Sequence, residues 1–168
     1  MLSDIETLMA IEQIRRLKAR YFRFLDGKNW DEFGNLFVED ATMDARDSFS
    51  GKHPKTGEWF VHGKAELVKG MDPNDMLMKG AATIAAKGAE LFPEVITMHH
   101  GHMSEIDIES ENSARAIWAM EDRLLFLSPA SPIREIQGFG HYHETYGRFN
   151  GEWKIVTSRL SRIRVDVS

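Results

Sequence analysis

The second half of the chain consists of long segments in which apolar and polar residues alternate, and this pattern constrains the fold most. Four such segments are predicted to be strands, at residues 95–108, 113–127, 136–149 and 152–166. Short turns separate them, and Asn150-Gly151 between the last two is a strong signal for a two-residue hairpin. The pattern therefore predicts a run of antiparallel strands.

The first half of the chain is predicted to be mainly helical. Residues 4–26 read as one long amphipathic helix whose apolar stripe is formed by Ile11, Ile14, Leu17, Phe22 and Leu25. Ser3 is a candidate N-cap without a clean capping box, and Gly27 is a candidate C-cap. Further helices are expected over residues 29–37, 63–71 and 81–91, and strands are expected to begin at Asp40 and Trp59.

Helices followed by a run of antiparallel strands predict an α+β fold. A chain of 168 residues is expected to form one domain, 1–168, with a substantial core. The simplest packing curls the sheet around the N-terminal helix. The N-terminal helices then lie in the concavity of a curved, mostly antiparallel sheet, and the space between helix and sheet becomes a deep pocket.

Composition excludes several classes of function. The net charge of −5 and the lack of a Lys/Arg run argue against nonspecific nucleic-acid binding. Because the chain has no cysteine, disulfides, thiolate metal sites and cysteine nucleophiles are excluded. The N-terminus does not read as a secretory signal, and no apolar run is long enough to span a membrane. A cytoplasmic protein without membrane contact is expected.

Two polar residues, Tyr21 and Asp26, lie on or beside the apolar stripe of the first helix. A carboxylate is costly to bury there unless it is paired, and the C-terminal end of a helix disfavours negative charge. Asp26 therefore either turns to solvent before Gly27 or has a cationic or histidine partner. In the curled-sheet packing, both side chains would point into the pocket.

The predicted strands also carry charges among apolar neighbours. Asp122 lies on the strand face that holds the large apolar residues, where an ion pair with an arginine of the next strand is one explanation. On the last strand, Arg162 and Arg164 are expected to share a face with Leu160. An arginine there could bind an anionic group or hold a carboxylate of the site, although Arg164 is more typical of surface charge.

The histidines of the strands allow competing interpretations. Two His-x-His pairs are present, His100/His102 and His141/His143. If both pairs face the same cavity, four imidazoles could hold Fe, Mn or Zn. In a second interpretation His99, on the opposite strand face, is an acid/base whose tautomer is oriented by Asp26. A histidine that is merely satisfied within the core is the simplest alternative.

Several motifs occur together in the order of a known family. They are Ile14-x-x-Leu-Lys-Ala-Arg-Tyr-Phe-Arg-x-Leu-Asp-Gly-Lys-x-Trp30, Met98-His-x-Gly-His102, Trp118-x-x-Glu-Asp-Arg-Leu124, Tyr142-x-x-x-Tyr146 and Ser161-Arg-Ile163. The chain resembles the SnoaL-like branch of the nuclear-transport-factor-2-like fold, and most nearly its lyases of the bile-acid 7α-dehydratase and scytalone dehydratase type. The match covers most of residues 8–165 and is weak over 44–92.

The resemblance implies a nuclear-transport-factor-2-like cone and a lyase-type, dehydratase-like enzyme with a His–Asp acid/base pair. It implies a hydrophobic, ring-containing substrate of steroid or polyketide type, and no metal or other cofactor. The catalytic residues it implies are Tyr21, Asp26, His99, Asp122 and Arg162.

Alternatives to the proposed reaction and the subunit arrangement are not decided by the sequence. Isomerisation or ring closure at the same site, and a non-catalytic binding module, remain alternatives. A homo-oligomer, dimer or trimer, is expected by resemblance, and the outward apolar positions Ile117, Leu125 and Ile163 are compatible with it. Residues 72–92 could form a lid, a pocket wall or a subunit contact.

Overall fold

The long N-terminal helix organises the molecule. The computed structural model describes residues 2–53, 55–68 and 72–168. Helix α1 spans Asp4–Asp26, as predicted, and Ser3 caps it. The expectation that no clean capping box would form is wrong. The Oγ of Ser3 accepts the Glu6 backbone N–H at 3.3 Å, and Oε2 of Glu6 accepts the Ser3 N–H at 2.8 Å.

The buried face of α1 is centred differently from the predicted stripe. Its buried side chains are those of Ala10, Ile14, Leu17, Lys18, Tyr21, Phe24 and Leu25. Ile11 and Phe22 lie at the margins, where they are partly exposed. The burial of Lys18 was not expected. It is accommodated because Nζ of Lys18 lies 2.7 Å from Oε1 of Glu144, which is also buried.

Two short helices pack beside α1. Helix α2, Trp30–Gly34, ends earlier than the helix predicted over 29–37, because strand β1 already begins at Phe37. Helix α3 covers Ala81–Leu91, as predicted. Among the described residues, no helix combines the length and the apolar character needed to cross a membrane.

The helix predicted over residues 63–71 is not observed where the chain is described. His62–Gly63 forms a short strand beside the last long strand, Glu152–Val167, and Ala65–Leu67 forms a single 3-10 turn. Gly63 has a φ of 87°, so it cannot lie within a right-handed helix. Residues 69–71 of the predicted helix lie outside the described ranges. A second 3-10 turn follows at Pro73–Met76.

The described residues form nine strands. They are β1 Phe37–Asp44, β2 Gly51–Lys52, β3 Trp59–Phe60, β4 His62–Gly63, β5 Leu77–Lys79, β6 Val95–Ile108, β7 Ser113–Phe126, β8 Glu135–Phe149 and β9 Glu152–Val167. The main sheet has the order β5-β1-β9-β8-β7-β6, with β4 on β9, and β2 and β3 form a separate hairpin. The β1–β9 and β4–β9 pairs are parallel and the other pairs are antiparallel. This open, mostly antiparallel sheet confirms the predicted α+β cone.

A register shift between β8 and β9 corrects one prediction from strict alternation. The shift falls between Phe139 and Gly140, which pair with Arg164 and Arg162 respectively. An extra residue on β9 at this point moves the next side chain to the other face. Arg162 is therefore buried, whereas Arg164 is exposed on the outer side. The two arginines do not share a face.

Two apolar clusters fill the space inside the cone. The larger one joins α1 to the concave side of the sheet, for example through Ile14, Leu17 and Ile155. The smaller one, which includes Ile136 and Val165, lies at the other end of the long strands. Residues from both clusters line a common cavity, so the cavity lies between them.

Candidate active site

A cavity of about 200 Å³ lies between the helices and the concave side of the sheet. Most of its wall is apolar, and it includes Met43, Phe49, Met76, Met78, Phe92 and Leu160. Residues of the 72–92 segment form part of this wall, so a pocket wall is the role that the structure supports among the three considered. Four of the five predicted catalytic side chains also line it: Tyr21, His99, Asp122 and Arg162.

Asp26 lies behind the imidazole of His99. Its Oδ1 is 2.6 Å from Nδ1 of His99, and its Oδ2 accepts the backbone N–H of His99 at 2.9 Å. The hydroxyl of Thr97 donates to Oδ1 at 2.9 Å. The same carboxylate therefore binds both the side chain and the backbone of β6.

The end of α1 explains why Asp26 turns inward. The N–H of Asn29 binds the carbonyl of Phe24 at 2.9 Å and the N–H of Lys28 binds that of Leu25 at 3.2 Å, which together form a Schellman motif. Its left-handed residue is Lys28, with φ 59°, whereas the predicted C-cap Gly27 has an ordinary helical φ of −77°. Asp26 thus remains the last residue of the helix and faces the sheet.

These hydrogen bonds determine the protonation pattern of the pair. Partial burial opposes ionisation of Asp26, but hydrogen bonds from His99 and Thr97 outweigh it and hold the pKa of Asp26 below its usual value. An ionised Asp26 requires Nδ1 of His99 to carry the hydrogen and donate it. Nε2 is then the free nitrogen of the ring, and His99 faces the cavity.

Asp122 and Arg162 form a second buried pair beside His99. Nη2 of Arg162 donates to Oδ2 of Asp122 at 2.6 Å, and both side chains are 3 % exposed. The same Oδ2 lies 3.9 Å from Nε2 of His99, which is too long for a hydrogen bond. Oδ1 of Asp122 has no hydrogen-bond partner among the residues that the structure describes.

Space for this pair depends on a glycine that sequence reasoning missed. Gly138 pairs with Asp122 across β7 and β8, and a Cβ atom on Gly138 would contact the guanidinium of Arg162. A glycine inside a strand pattern, such as Gly138 two residues before Gly140, is a signal for such a close approach. The pattern of β8 therefore contained a clue to this site.

Tyr21 reaches the cavity from α1 with its ring packed against Tyr142 of β8, at 5.9 Å between centroids. Burial, followed by the neighbouring Tyr142, raises the pKa of Tyr21 well above its usual value. Burial likewise raises the pKa of Tyr142. Both phenols therefore remain protonated hydrogen-bond donors throughout the neutral pH range.

A buried polar cluster below these tyrosines was also missed. Oε1 of Glu144 accepts hydrogen bonds from Lys18 at 2.7 Å and from Ser158 at 2.9 Å, and the Tyr146 hydroxyl donates to Oε2. The Lys18 ammonium lies 3.9 Å from the centre of the Tyr21 ring. Lys18 directly follows Leu17 of the predicted apolar stripe. This position beside the stripe is the sequence signal that could have indicated its burial.

Neither His-x-His pair lines the cavity. His100 lies near Glu121, 3.3 Å between Nδ1 and Oε1, while Nε2 of His143 is 2.9 Å from Oγ of Ser161. The condition for the four-histidine metal interpretation, that both pairs face one cavity, is therefore not met. The part of the chain described here contains no group of three or more His, Asp or Glu side chains that could hold a metal ion.

The sequence matches a known family over nearly its whole length. The SnoaL-like domain matches residues 6–159. The chain belongs to the SnoaL-like family. This membership confirms the resemblance drawn from the motifs of α1 and the long strands.

One sequence relative and two solved structures resemble the chain at low identity. A probable cyclase of Gibberella zeae is 25 % identical over 150 residues, covering 89 % of each chain. A candidate scytalone dehydratase of Novosphingobium aromaticivorans has 18 % identity and a TM-score of 0.71, covering 97 % of this chain and 90 % of its own. The type 3 hexachlorocyclohexane dehydrochlorinase of Novosphingobium barchaimii has 14 % identity and a TM-score of 0.71, covering 99 % and 94 %.

Proposed function

We propose that the protein is a cofactor-independent lyase of dehydratase type that removes a proton next to a carbonyl and then expels a hydroxyl group as water. One observation carries the proposal. The imidazole of His99 is fixed by Asp26 at 2.6 Å and faces an apolar cavity with its second nitrogen free. The names of the dehydratase and dehydrochlorinase structures that share the fold support elimination as the reaction class.

In the proposed mechanism, His99 is the general base. Its Nε2 takes the proton from the carbon next to the substrate carbonyl, and Asp26 stabilises the imidazolium that forms. The hydroxyl of Tyr21 donates a hydrogen bond to the oxygen that becomes an enolate. The high pKa of Tyr21 suits this role, because the phenol stays neutral.

The leaving group departs in the second half of the reaction. The carbon–oxygen bond at the β position breaks, the imidazolium returns its proton to the departing hydroxyl, and water and a conjugated ketone result. The carboxylate of Asp122, buried beside His99 in the cavity wall, is the candidate acceptor for the hydrogen of this hydroxyl. Arg162 neutralises Asp122 and so keeps a carboxylate available in an apolar environment.

The size of the cavity favours a small substrate. Its volume of about 200 Å³ lies below the roughly 300–1,000 Å³ of pockets for drug-sized ligands. Its methionines can adjust to irregular apolar shapes. We therefore expect a bicyclic, polyketide-like aryl ketone with a hydroxyl β to the carbonyl, rather than a four-ring steroid.

Proton abstraction can be tested without knowing the natural substrate. A bicyclic aryl ketone that lacks the β-hydroxyl is incubated in D₂O, and exchange of its α-hydrogen is followed by NMR. The wild type is expected to catalyse exchange, and His99→Gln is expected to lower the rate by about 10²–10⁴-fold while keeping the circular dichroism spectrum. The matched control is His100→Gln, the exposed neighbour on β6. Exchange that persists in His99→Gln would contradict the proposal.

Ring closure by the same pair is the second candidate, favoured by the name of the Gibberella zeae relative. The same proton abstraction would generate an enolate that attacks a second carbonyl. Mass spectrometry of the product separates the cases when a β-hydroxy ketone and a linear polyketide mimic are compared. A dehydratase releases one water from the former and leaves the latter unchanged, whereas ring closure converts the latter to an isomer of equal mass, which its new chromatographic retention and NMR spectrum identify.

The subunit arrangement is a further part of the proposal. Ile117 is 37 % exposed and Ile163 is 61 % exposed on the outer side of the sheet. A second copy covering this side would remove both from water. Light scattering of wild type and Ile163→Lys tests this, because the variant is expected to shift a dimer or trimer toward monomer.

A further inference from the structure

A lysine lies on the carboxylate side of the His99–Asp26 pair. Lys28 follows α1 by two residues, and its side chain is partly buried. Its Nζ donates to Oγ1 of Thr97 at 2.7 Å, and Oγ1 of Thr97 lies 2.9 Å from Oδ1 of Asp26. The side chains of Lys28, Thr97 and Asp26 are therefore joined by successive hydrogen bonds, and the last of these reaches the imidazole of His99.

The donor and acceptor groups of Lys28, Thr97 and Asp26 determine the direction of the hydrogen bonds between them. A lysine ammonium can donate but cannot accept, so Thr97 accepts from Lys28. The one hydrogen of the Thr97 hydroxyl is then directed to Asp26. Oδ1 of Asp26 receives this bond in addition to the one from Nδ1 of His99. The positive charge of Lys28 is thereby transmitted toward the oxygen that holds the imidazole.

The backbone at Lys28 indicates that this side chain is not interchangeable. Its φ of 59° lies in the left-handed region, which favours glycine or asparagine over lysine. The ammonium also lies 5.1 Å from the centre of the Phe92 ring and 5.9 Å from that of Trp30. Glycine would suit the backbone of this turn better. The side-chain contacts of Lys28 explain why a lysine is found there.

We propose that Lys28, acting through Thr97, is a positioning residue that lowers the basicity of the His99–Asp26 pair. A cation next to the carboxylate disfavours a second positive charge on the imidazole. Nε2 of His99 is then kept free to accept a proton. The inference deepens the proposed function, since it concerns how readily His99 takes up and returns the substrate proton.

Other charged and titratable groups near His99 are accounted for. Those that share its cavity or contact it are Tyr21 and Asp26 on α1, Asp122 on β7, Tyr142 on β8, Arg162 on β9, and Asp44 and Lys87 in the cavity wall. Arg162 pairs with Asp122 at 2.6 Å, Arg46 with Asp44 at 2.7 Å, and Glu90 with Lys87 at 2.9 Å. Arg162 thus compensates the Asp122 carboxylate on the Nε2 side of the imidazole, and Lys28 is a cation on the Asp26 side, linked to Asp26 through Thr97.

The titration of His99 tests the inference without any substrate. The Cε1–H resonance of His99 is identified by its loss in His99→Gln and followed against pH by NMR. Lys28→Met is expected to raise the midpoint by roughly half to one pH unit, because a positive charge is removed. Thr97→Val is expected to raise it as well. An unchanged midpoint in Lys28→Met would overturn the inference.

Matched variants separate the effect of the Lys28 charge on the His99 midpoint from the effect of any substitution at these positions. Lys28→Arg and Thr97→Ser retain the charge and the hydroxyl, so their midpoints are expected to stay near that of the wild type. Lys154→Met removes a charge at the far end of β9 and is expected to leave the midpoint unchanged. If Lys28→Met does not fold, Lys28→Gln replaces it. A shift as large in Lys154→Met as in Lys28→Met would also overturn the inference.

The pH profile of deuterium exchange distinguishes this inference from the proposed function. In Lys28→Met the acidic limb of the profile is expected to move upward by the same amount as the NMR midpoint. A shifted midpoint without exchange activity in the wild type would contradict the proposed function and leave the role of Lys28 intact. Exchange that depends on His99, with an unmoved midpoint, would contradict the role of Lys28.

Discussion

A Cβ atom on Gly138 would lie 2.5 Å from Oδ1 of Asp122. That distance is far below van der Waals contact, so Gly138→Ala is expected to displace the Asp122–Arg162 pair. Overpacking of this kind costs about 1–3 kcal/mol of unfolding free energy. The variant is expected to melt at lower temperature and to lose elimination activity more than α-hydrogen exchange, because Asp122 is assigned to the leaving hydroxyl.

The control for this prediction is Gly34→Ala. A Cβ atom there would lie 3.3 Å from the Cβ of Ala85, a contact that a small shift of helix α2 can relieve. Activity close to that of the wild type is expected. If Gly138→Ala has the melting temperature and the elimination activity of the wild type, the prediction of crowding at Asp122 and Arg162 is wrong.

Tyr21→Phe removes one hydroxyl and keeps the aromatic packing. Loss of a hydrogen-bond donor to the developing enolate is expected to lower kcat by about 10²-fold, with a smaller effect on KM. Steady-state kinetics of α-hydrogen exchange measures both constants. Tyr146→Phe is the matched control, because its hydroxyl binds Glu144 instead of facing the cavity. It is expected to reduce stability and to retain kcat, and equal losses of kcat in both variants would argue against the role of Tyr21.

Lys18→Met tests the buried ion pair below the cavity. Removing the lysine leaves the Glu144 carboxylate buried without its counter-ion, and breaking such a pair costs about 3–5 kcal/mol. The double variant Lys18→Met/Glu144→Gln is expected to recover much of this loss. Urea unfolding of the wild type, both single variants and the double variant gives the coupling free energy. Additive losses would mean that the two side chains do not stabilise each other.

The lowered pKa of Asp26 leads us to expect that the free energy of unfolding depends on pH. Partial burial opposes its ionisation, but hydrogen bonds from His99 and Thr97 lower its folded-state pKa below the usual 3.8. Stability from such a carboxylate is fully present above the unfolded-state pKa and is lost as the pH falls through the folded-state pKa. The difference in unfolding free energy between wild type and Asp26→Asn is therefore expected to shrink below about pH 4.

Urea titrations at several pH values measure this difference. Asp31→Asn, at an exposed carboxylate of α2, serves as the control and is expected to show a much smaller dependence. A constant difference between wild type and Asp26→Asn down to low pH would contradict the prediction.

Sequence periodicity correctly predicted helix α1 and the four long strands. The 3.6-residue period of α1 and the alternation of the four long strands survive in the structure because each element buries one continuous face. The same alternation placed His99 on the strand face opposite His100 and His102, and Asp122 on the face of the large apolar side chains. The helix prediction failed over residues 63–68, where Gly63 pairs with the edge of β9 and Ala65–Leu67 forms a single 3-10 turn.

The rest of the site depends on contacts between distant segments. Thr97 lies 71 positions from Asp26 and 69 from Lys28, and no local pattern indicates which strand meets the end of α1. The register shift that separates Arg162 from Arg164 likewise arises from the β8–β9 pairing. Alternation alone cannot locate such a shift, because one extra residue reverses every following side chain.

The attachment of Asp26 to the backbone of His99, across 73 positions of sequence, has a consequence for folding. Contacts between segments so far apart are slow to form, whereas a helix forms from local contacts within microseconds. During refolding, the far-ultraviolet signal of α1 should therefore return before catalytic competence does. Recovery of the proposed exchange activity in such an experiment would report the docking of the first helix onto the sheet, which is expected to be the last stage of assembly.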